Sequence, residues 1–243
     1  MIRRIKACLN GDRAQGVPVT AAEVARAAAE AVAAGAEAIH VHPRDDHGAE
    51  FLAAADIGAA VAAVRGACPG TPVGVSTGLW ITGGDVARRM AAVGGWAGLP
   101  VDRRPDFASV NVSEDGFADL ARVLRGSGIA VEAGVWSAGE VGTLLGVPVD
   151  RILIEVLHTP AADAVASADT ILERLDRLGV SGPRLLHGEE EACWPLIRHA
   201  GRLGLPTRIG LEDTLDLDDG SPATGNAELV ARALEIWAKA RLP

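Results

Sequence analysis

Ala38-Ile39-His40-Val41-His42-Pro43-Arg44-Asp45 reads as a β-strand that runs into a functional loop. Ile39 and Val41 alternate with His40 and His42, so the imidazoles share one face and the apolar pair takes the other. Just upstream, Thr20-Ala21-Ala22-Glu23 has the form of a capping box. The helix it opens carries Val24, Ala28 and Val32 on one side and stops at Gly35. Downstream, a second helix spans about 54–67 and ends before Pro69-Gly70. This alternation of strand and helix extends outward to both ends of the chain.

Strands are predicted at 5–9, 37–42, 72–76, 107–112, 129–133, 151–156, 184–187 and 207–211. Further helices are predicted at 82–93, 114–125, 138–145, 190–201 and 226–239. One more carries Ile171, Leu175 and Leu178 on a stripe that ends at Gly179. Eight β-then-α units in 243 residues match a (β/α)8 TIM barrel, read as a single domain over 1–243. A doubly wound open sheet is the alternative, but no G-x-G-x-x-G follows strand one.

The apolar share of 49% supports a substantial core, built from Ala, Val, Leu and Ile because aromatics make up only 3%. A net charge of −9 argues against a general nucleic-acid binder. It leaves room for an anionic small substrate held by a few local arginines. Cys8, Cys68 and Cys193 are widely spaced and include no C-x-x-C pair, which suits free thiols in a reducing compartment. The basic start of the chain is interrupted by Asn10, Gly11, Asp12 and Arg13 and lacks the apolar run of a signal peptide. No stretch approaches a membrane span. A cytoplasmic location is expected. The Ala-rich helices, with Trp237 on the last one, suggest an apolar outer face and hence a homo-oligomer.

In a barrel the chemistry sits at the C-terminal ends of the strands. Polar residues gather there. Arg208, Gly210 and Glu212 share the face of strand eight opposite Thr207, Ile209 and Leu211, and Ser109 and Asn111 lie opposite Ala108, Val110 and Val112. His40, His42 and Glu212 come from alternate strands separated only by strand one. Two histidines and a carboxylate with an open position make a catalytic zinc arrangement. The plainer reading is a pair of core histidines, with Glu212 as an ion-pair partner of Arg208. Asp213 is the best general-base candidate, although Asp is also common in turns. Arg208 is fit to hold a carboxylate through its guanidinium fork or to form an ion pair with Glu132 or Glu155. Ser76-Thr77-Gly78 is either an anion grip or a plain turn. His158 and His187 lack paired spacing and stay outside the proposed metal site. His47 and His199 are expected to face solvent.

Seven segments fall in order across the chain: Lys6-Ala7-Cys8-Leu9-Asn10-Gly11, His40 through Asp45, Gly74-Val75-Ser76-Thr77-Gly78, Ala108-Ser109-Val110-Asn111, Val131-Glu132-Ala133-Gly134-Val135, Leu186-His187-Gly188, and Thr207-Arg208-Ile209-Gly210-Leu211-Glu212-Asp213. Together they resemble the β-keto acid cleavage enzyme family, which includes the 3-keto-5-aminohexanoate cleavage enzyme. The resemblance implies a zinc-dependent barrel that condenses a β-keto acid with acetyl-CoA and releases acetoacetate and a new acyl-CoA. It places Zn2+ on His40, His42 and Glu212. It makes Asp213 the base, assisted by Arg208 and Glu132, and sets Ser76, Thr77 and Asn111 around the substrate. At the end of strand one Cys8 and Asn10 are neutral, which favours a neutral or anionic substrate side chain over a cationic amino-keto one. A metal-dependent aldolase or hydrolase without CoA and a non-catalytic zinc-binding barrel are the alternatives.

Overall fold

The computed structural model describes residues 2–13, 15–45 and 47–242. Eight strands form one parallel sheet: β1 (Ile5–Cys8), β2 (Ile39–Val41), β3 (Val73–Ser76), β4 (Phe107–Asn111), β5 (Ala130–Val135), β6 (Arg151–Val156), β7 (Arg184–Gly188) and β8 (Thr207–Ile209). Their order is β7-β6-β5-β4-β3-β2-β1-β8, with every hydrogen-bonded pair parallel. Leu186 N donates to Pro206 O at 3.0 Å, which brings β7 beside the start of β8. The sheet thereby curls into the expected barrel.

Seven α-helices among the described residues cover it: α1 (Ala21–Ala33), α2 (Ala54–Ala67), α3 (Val86–Gly94), α4 (Phe117–Gly126), α5 (Ala164–Arg177), α6 (Cys193–Leu203) and α7 (Asn226–Arg241). The capping box of α1 is formed as expected. Glu23 N donates to Thr20 Oγ1 at 3.2 Å, and Thr20 N donates to the Glu23 carboxylate at 2.9 Å. α2 spans the expected 54–67 and α7 runs two residues past the expected 226–239, but three other helices are shorter than their patterns suggest, with glycine as the cause. Gly83 and Gly84 take φ of +65° and +84° and split the predicted 82–93 helix into a 3-10 turn (Leu79–Thr82) and α3, capped by Asp85. Gly116, at φ +79°, delays α4 to Phe117. The predicted helix at 138–145 is only a 3-10 segment, Glu140–Leu144. Gly139, Gly142 and Gly146 surround or interrupt it, and each glycine disfavours helix by about 1 kcal/mol relative to Ala.

Period-two alternation divides the sheet into two faces. Ile39, Val41, Val73, Val75, Val131, Ala133, Ile152 and Ile154 are fully buried against the helices in the main core. Burying one such Val or Ile contributes roughly 1.5–3 kcal/mol. The inner face holds a separate small apolar cluster of Ile2, Ala38, Phe107, Leu153 and Leu185. Phe107 crosses that space only because Gly74 faces it: a Cβ on Gly74 would lie 1.9 Å from the ring. This plug closes the N-terminal end and leaves the other end of the barrel to polar side chains.

Two surface expectations are corrected. His199 is buried on α6, with Nε2 2.6 Å from Asp169 Oδ1, rather than facing solvent. Trp237 is also buried, its indole N–H donating to Leu205 O at 2.8 Å, so it forms no apolar outer face. All three cysteines are free and buried. No helix among the described residues is long and apolar enough to cross a membrane.

Candidate functional site

The C-terminal ends of the strands open on a cavity of about 460 Å³, whose lining includes His40, His42, Asn111, Glu155, Arg208 and Glu212. β2 delivers both histidines from its inward face. Asn10, just past β1, fixes the backbone of the second one: its Oδ1 accepts from His42 N at 2.9 Å and its Nδ2 donates to His42 O at 3.0 Å. Arg44 then ties the following loop to Gly11 O and Arg13 O, at 2.7 and 2.8 Å.

Glu212 follows β8 and reaches back over β1 to the histidines. His42 Nε2 lies 3.5 Å from Glu212 Oε1, and His40 Nε2 lies 3.9 Å from Glu212 Oε2. One ligand atom from each of the three residues falls within 4.8 Å of the others, so they form a group able to hold a metal ion. Donors at 2.0–2.2 Å from a tetrahedral zinc ion stand about 3.3 Å apart, so the group would draw in by up to about 1.5 Å to hold one. Glu212 Oε2 is buried without a hydrogen-bond partner, as an oxygen reserved for a cation would be. The electrostatics agree. Burial alone would lower His42, yet the carboxylates of Glu212 and Glu50 push it up to about 9, so the space between these groups favours positive charge. His40 is driven well below its usual value by burial, which keeps a neutral, ligating imidazole.

Arg208 stands beside this group. Its Nε and Nη2 donate to Asp213 Oδ1 at 3.0 and 2.6 Å, and Nη2 also donates to Glu212 Oε1 at 2.8 Å. Nη1 lies 3.9 Å from Glu155 Oε2. The guanidinium is therefore fixed in the cavity wall by carboxylates behind and beside it.

Three of the expected site residues stand elsewhere than the sequence suggested. Asp213 is fully buried and does not line the cavity; its Oδ1 accepts from Arg208, while its Oδ2 has no hydrogen-bond partner. Glu132 sits on β5 one layer below, bonded to Lys6 Nζ at 2.5 Å and to Arg151. It lines a smaller pocket of about 170 Å³ at the opposite end of the barrel with Phe107 and Arg151, and it pairs with neither Arg208 nor the metal group. Thr77 is fully buried, its hydroxyl donating to Ser109 O at 2.6 Å, and acts as a tie between β3 and β4. Ser76 and Asn111 do line the cavity.

The structure adds residues that the motifs did not single out. Glu50 Oε1 lies 2.5 Å from His42 Nδ1, and Trp80 Nε1 donates to Glu50 Oε2 at 2.9 Å. A short antiparallel bridge between Arg44 and Glu50 folds the loop back to make this contact, a turn that Asp45 Oδ1 stabilises by accepting from His47 N and Ala49 N. Trp80 and Trp136 form partly exposed aromatic walls. Glu189 also lines the cavity, and burial pushes its carboxyl up to about 8 despite the nearby Arg208.

Comparison with known proteins matches the chain to one family. A family model described as beta-keto acid cleavage enzyme matches residues 5–243. The 3-keto-5-aminohexanoate cleavage enzyme of Fusobacterium nucleatum subsp. nucleatum is 23% identical over 236 residues, covering 90% of this chain and 84% of that protein. Among solved structures, the apo structure of ObcA superposes with a TM-score of 0.71 at 18% identity, over 90% of this chain and 61% of that one. A ternary complex of ObcA with a C4-CoA adduct and oxalate gives a TM-score of 0.71 at 17% identity, over 90% of this chain and 63% of that one. The chain thus spans about 61% of the length of ObcA. At these identities the structural likeness speaks for the barrel fold. The family model covers nearly the whole chain, and the chain belongs to the β-keto acid cleavage enzyme family.

Proposed function

We propose that this protein condenses a β-keto acid with acetyl-CoA, releasing acetoacetate and a new acyl-CoA, and that it does so with a zinc ion held by His40, His42 and Glu212. The observation that carries the reading is the convergence of those three side chains, ligand atoms within 4.8 Å, beside Arg208 in the cavity at the strand ends. Family membership points to β-keto acid cleavage. The ObcA complex with a C4-CoA adduct supports a CoA co-substrate in a barrel of this shape.

When bound, a zinc ion supplies Lewis acidity to a keto oxygen of the substrate. Arg208 binds the substrate carboxylate. Its Nε and Nη2 are already taken by Asp213 and Glu212, which leaves Nη1 on the cavity side. Asp213 holds the fork in orientation from behind. The Ser76 hydroxyl and the Asn111 amide flank the keto acid, while Trp80 and Trp136 exclude water from the mouth.

The chemistry balances as follows. The C2–H bond of the keto acid breaks, and C2 attacks the acetyl carbonyl as the thiolate of CoA leaves. That thiolate then attacks the original keto carbon, the C2–C3 bond breaks, and C2 departs within acetoacetate, taking a proton back. A panel of β-keto acids with acetyl-CoA, scored for acetoacetate and acyl-CoA, tests the reading. Turnover is expected only with acetyl-CoA present. CoA-independent breakdown of the keto acid would favour a metal-dependent hydrolase or aldolase, and bound metal with no turnover of any keto acid would favour a non-catalytic site.

A further inference from the structure

The Glu50 carboxylate is held at both ends. Oε1 lies 2.5 Å from His42 Nδ1, and Oε2 accepts a hydrogen bond from Trp80 Nε1 at 2.9 Å. Glu50 sits on the loop after β2, folded back by its bridge to Arg44. Trp80 comes from a different element, the 3-10 turn Leu79–Thr82 that follows β3. The indole N–H therefore ties the loop behind the metal group to the turn of the next strand.

That turn is itself anchored by a buried ion pair. Glu114, just after β4, accepts from Leu79 N at 3.0 Å through Oε1 and from Arg89 through Oε2. Arg89, on α3, is fully buried and donates also to Asp115 O. Gly83 N donates to Trp80 O at 2.8 Å. The indole lies close over Gly78, where a Cβ would fall 2.2 Å from the ring, so glycine at 78 lets the side chain turn toward Glu50. The same ring stacks beside His42, with centroids 6.4 Å apart and planes inclined by 26°. Trp80 remains 46% exposed, so these contacts, and not burial in a core, fix its position.

We propose that Trp80 is a positioning residue of the metal centre, which acts through Glu50 on His42 and raises the affinity of the site for zinc. The assignment rests on the zinc group proposed above. A carboxylate free to rotate must be ordered when the metal binds. One already fixed by an anchored indole N–H has been ordered in advance, and that cost no longer opposes binding. With Oε2 held by Trp80, Oε1 stays on His42 Nδ1, and Nε2 stays toward Glu212 Oε1, 3.5 Å away. A carboxylate so placed sets the tautomer and orientation of the ligating ring. None of these contacts involves a substrate, so the effect belongs to metal binding itself and is present without keto acid or CoA.

The test measures zinc affinity by chelator competition, without substrate, for wild type, W80F, W80A, E50A and the double variant W80F/E50A. W80F keeps an aromatic ring beside His42 but has no N–H. It should weaken zinc binding roughly 3- to 10-fold, less than the loss of a direct partner of the ligating histidine. W80A should lose at least as much. In the E50A background, W80F should change the affinity by less than about twofold, because the group it acts through is gone. A tryptophan that merely packs or shields the site predicts otherwise. W80F would then bind zinc like wild type while W80A binds it more weakly, or W80F would carry the same penalty with and without Glu50. Either result would overturn the assignment and leave the zinc site standing. A wild type that takes up no zinc would remove the zinc reading and this assignment together.

Discussion

Glu50 Oε1 stands 2.5 Å from His42 Nδ1, and this single contact decides which imidazole nitrogen faces Glu212. With Nδ1 engaged, Nε2 is left to point at the carboxylate 3.5 Å away. A carboxylate behind a ligating histidine orients the ring and raises its basicity. Glu50→Gln should therefore weaken metal binding about 10- to 100-fold without abolishing it. His40→Ala combined with His42→Ala should abolish it. Chelator competition followed by elemental analysis checks both, and full occupancy in the double variant would move the metal elsewhere.

Arg208 is expected to act through its fork, not its charge alone. Arg208→Lys keeps the charge but cannot bond Asp213, Glu212 and a substrate together. Loss of a hydrogen bond between charged groups is worth about 1.5–3 kcal/mol, which corresponds to roughly 10- to 150-fold in kcat/KM. Asp213→Asn should retain its metal and show a milder loss dominated by KM, because it disturbs the guanidinium only from behind. Steady-state kinetics with zinc content on both variants checks this; an Asp213→Asn protein whose loss falls wholly on kcat would return Asp213 to direct proton transfer.

Lys6 and Glu132 form a buried pair at the middle of the barrel, joined by Arg151. Burial alone would raise the Glu132 carboxyl, but the two cations more than offset it and hold it below its usual value. A value depressed in the folded state means that the pair's stability is fully present above the unfolded value, about 4.3, and is lost as pH falls below it through the folded value. Glu132→Gln should cost about 3–5 kcal/mol at neutral pH, since it leaves Lys6 buried without a carboxylate. It should also flatten the decline of stability below about pH 4. Urea midpoints measured across pH check it, and an unchanged acid slope would assign that decline to other carboxylates.

Gly74 faces Phe107 at a distance that excludes a side chain. Gly74→Ala forces the ring or β3 to shift, and such overpacking costs about 1–3 kcal/mol. For a chain of this size that is a fall in Tm of roughly 2–12 °C. Thermal unfolding followed by circular dichroism reads it directly; an unchanged Tm would mean that Phe107 swings clear freely.

Much of this was legible in the chain. The alternation at 39–42 and 207–209 placed His40, His42 and Arg208 on inward faces, because a strand's period of two is a local property; β8 ends at Ile209, so Glu212 reaches the site from the turn that follows. The barrel followed from the regular succession of such strands and helices. Residues whose roles depend on long-range neighbours were not legible. Glu132 obeys the same alternation as Glu155, yet one lies a layer below the cavity and the other borders it. The difference is set by the stagger of neighbouring strands, in which Glu132 pairs with Arg151 at the start of β6. Asp213 follows a ligand in sequence, but the turn after β8 directs it behind Arg208. Glu50 joins the site through a loop fold-back, and His187 through its partner on β6; neither contact has a sequence period. Helix lengths were overread where glycine takes a left-handed conformation, at Gly83-Gly84 and Gly116, whereas Gly58 and Gly66 lie within α2 without shortening it.

The central claim is that acetyl-CoA supplies part of the product's carbon skeleton. Turnover of an unlabelled β-keto acid with acetyl-CoA carrying ¹³C at both acetyl carbons, followed by ¹³C NMR, tests it most directly. The account predicts label at C3 and C4 of acetoacetate and none in the acyl group of the new thioester. Acetoacetate free of label, or breakdown of the keto acid to unlabelled acids at the same rate without acetyl-CoA, would contradict it.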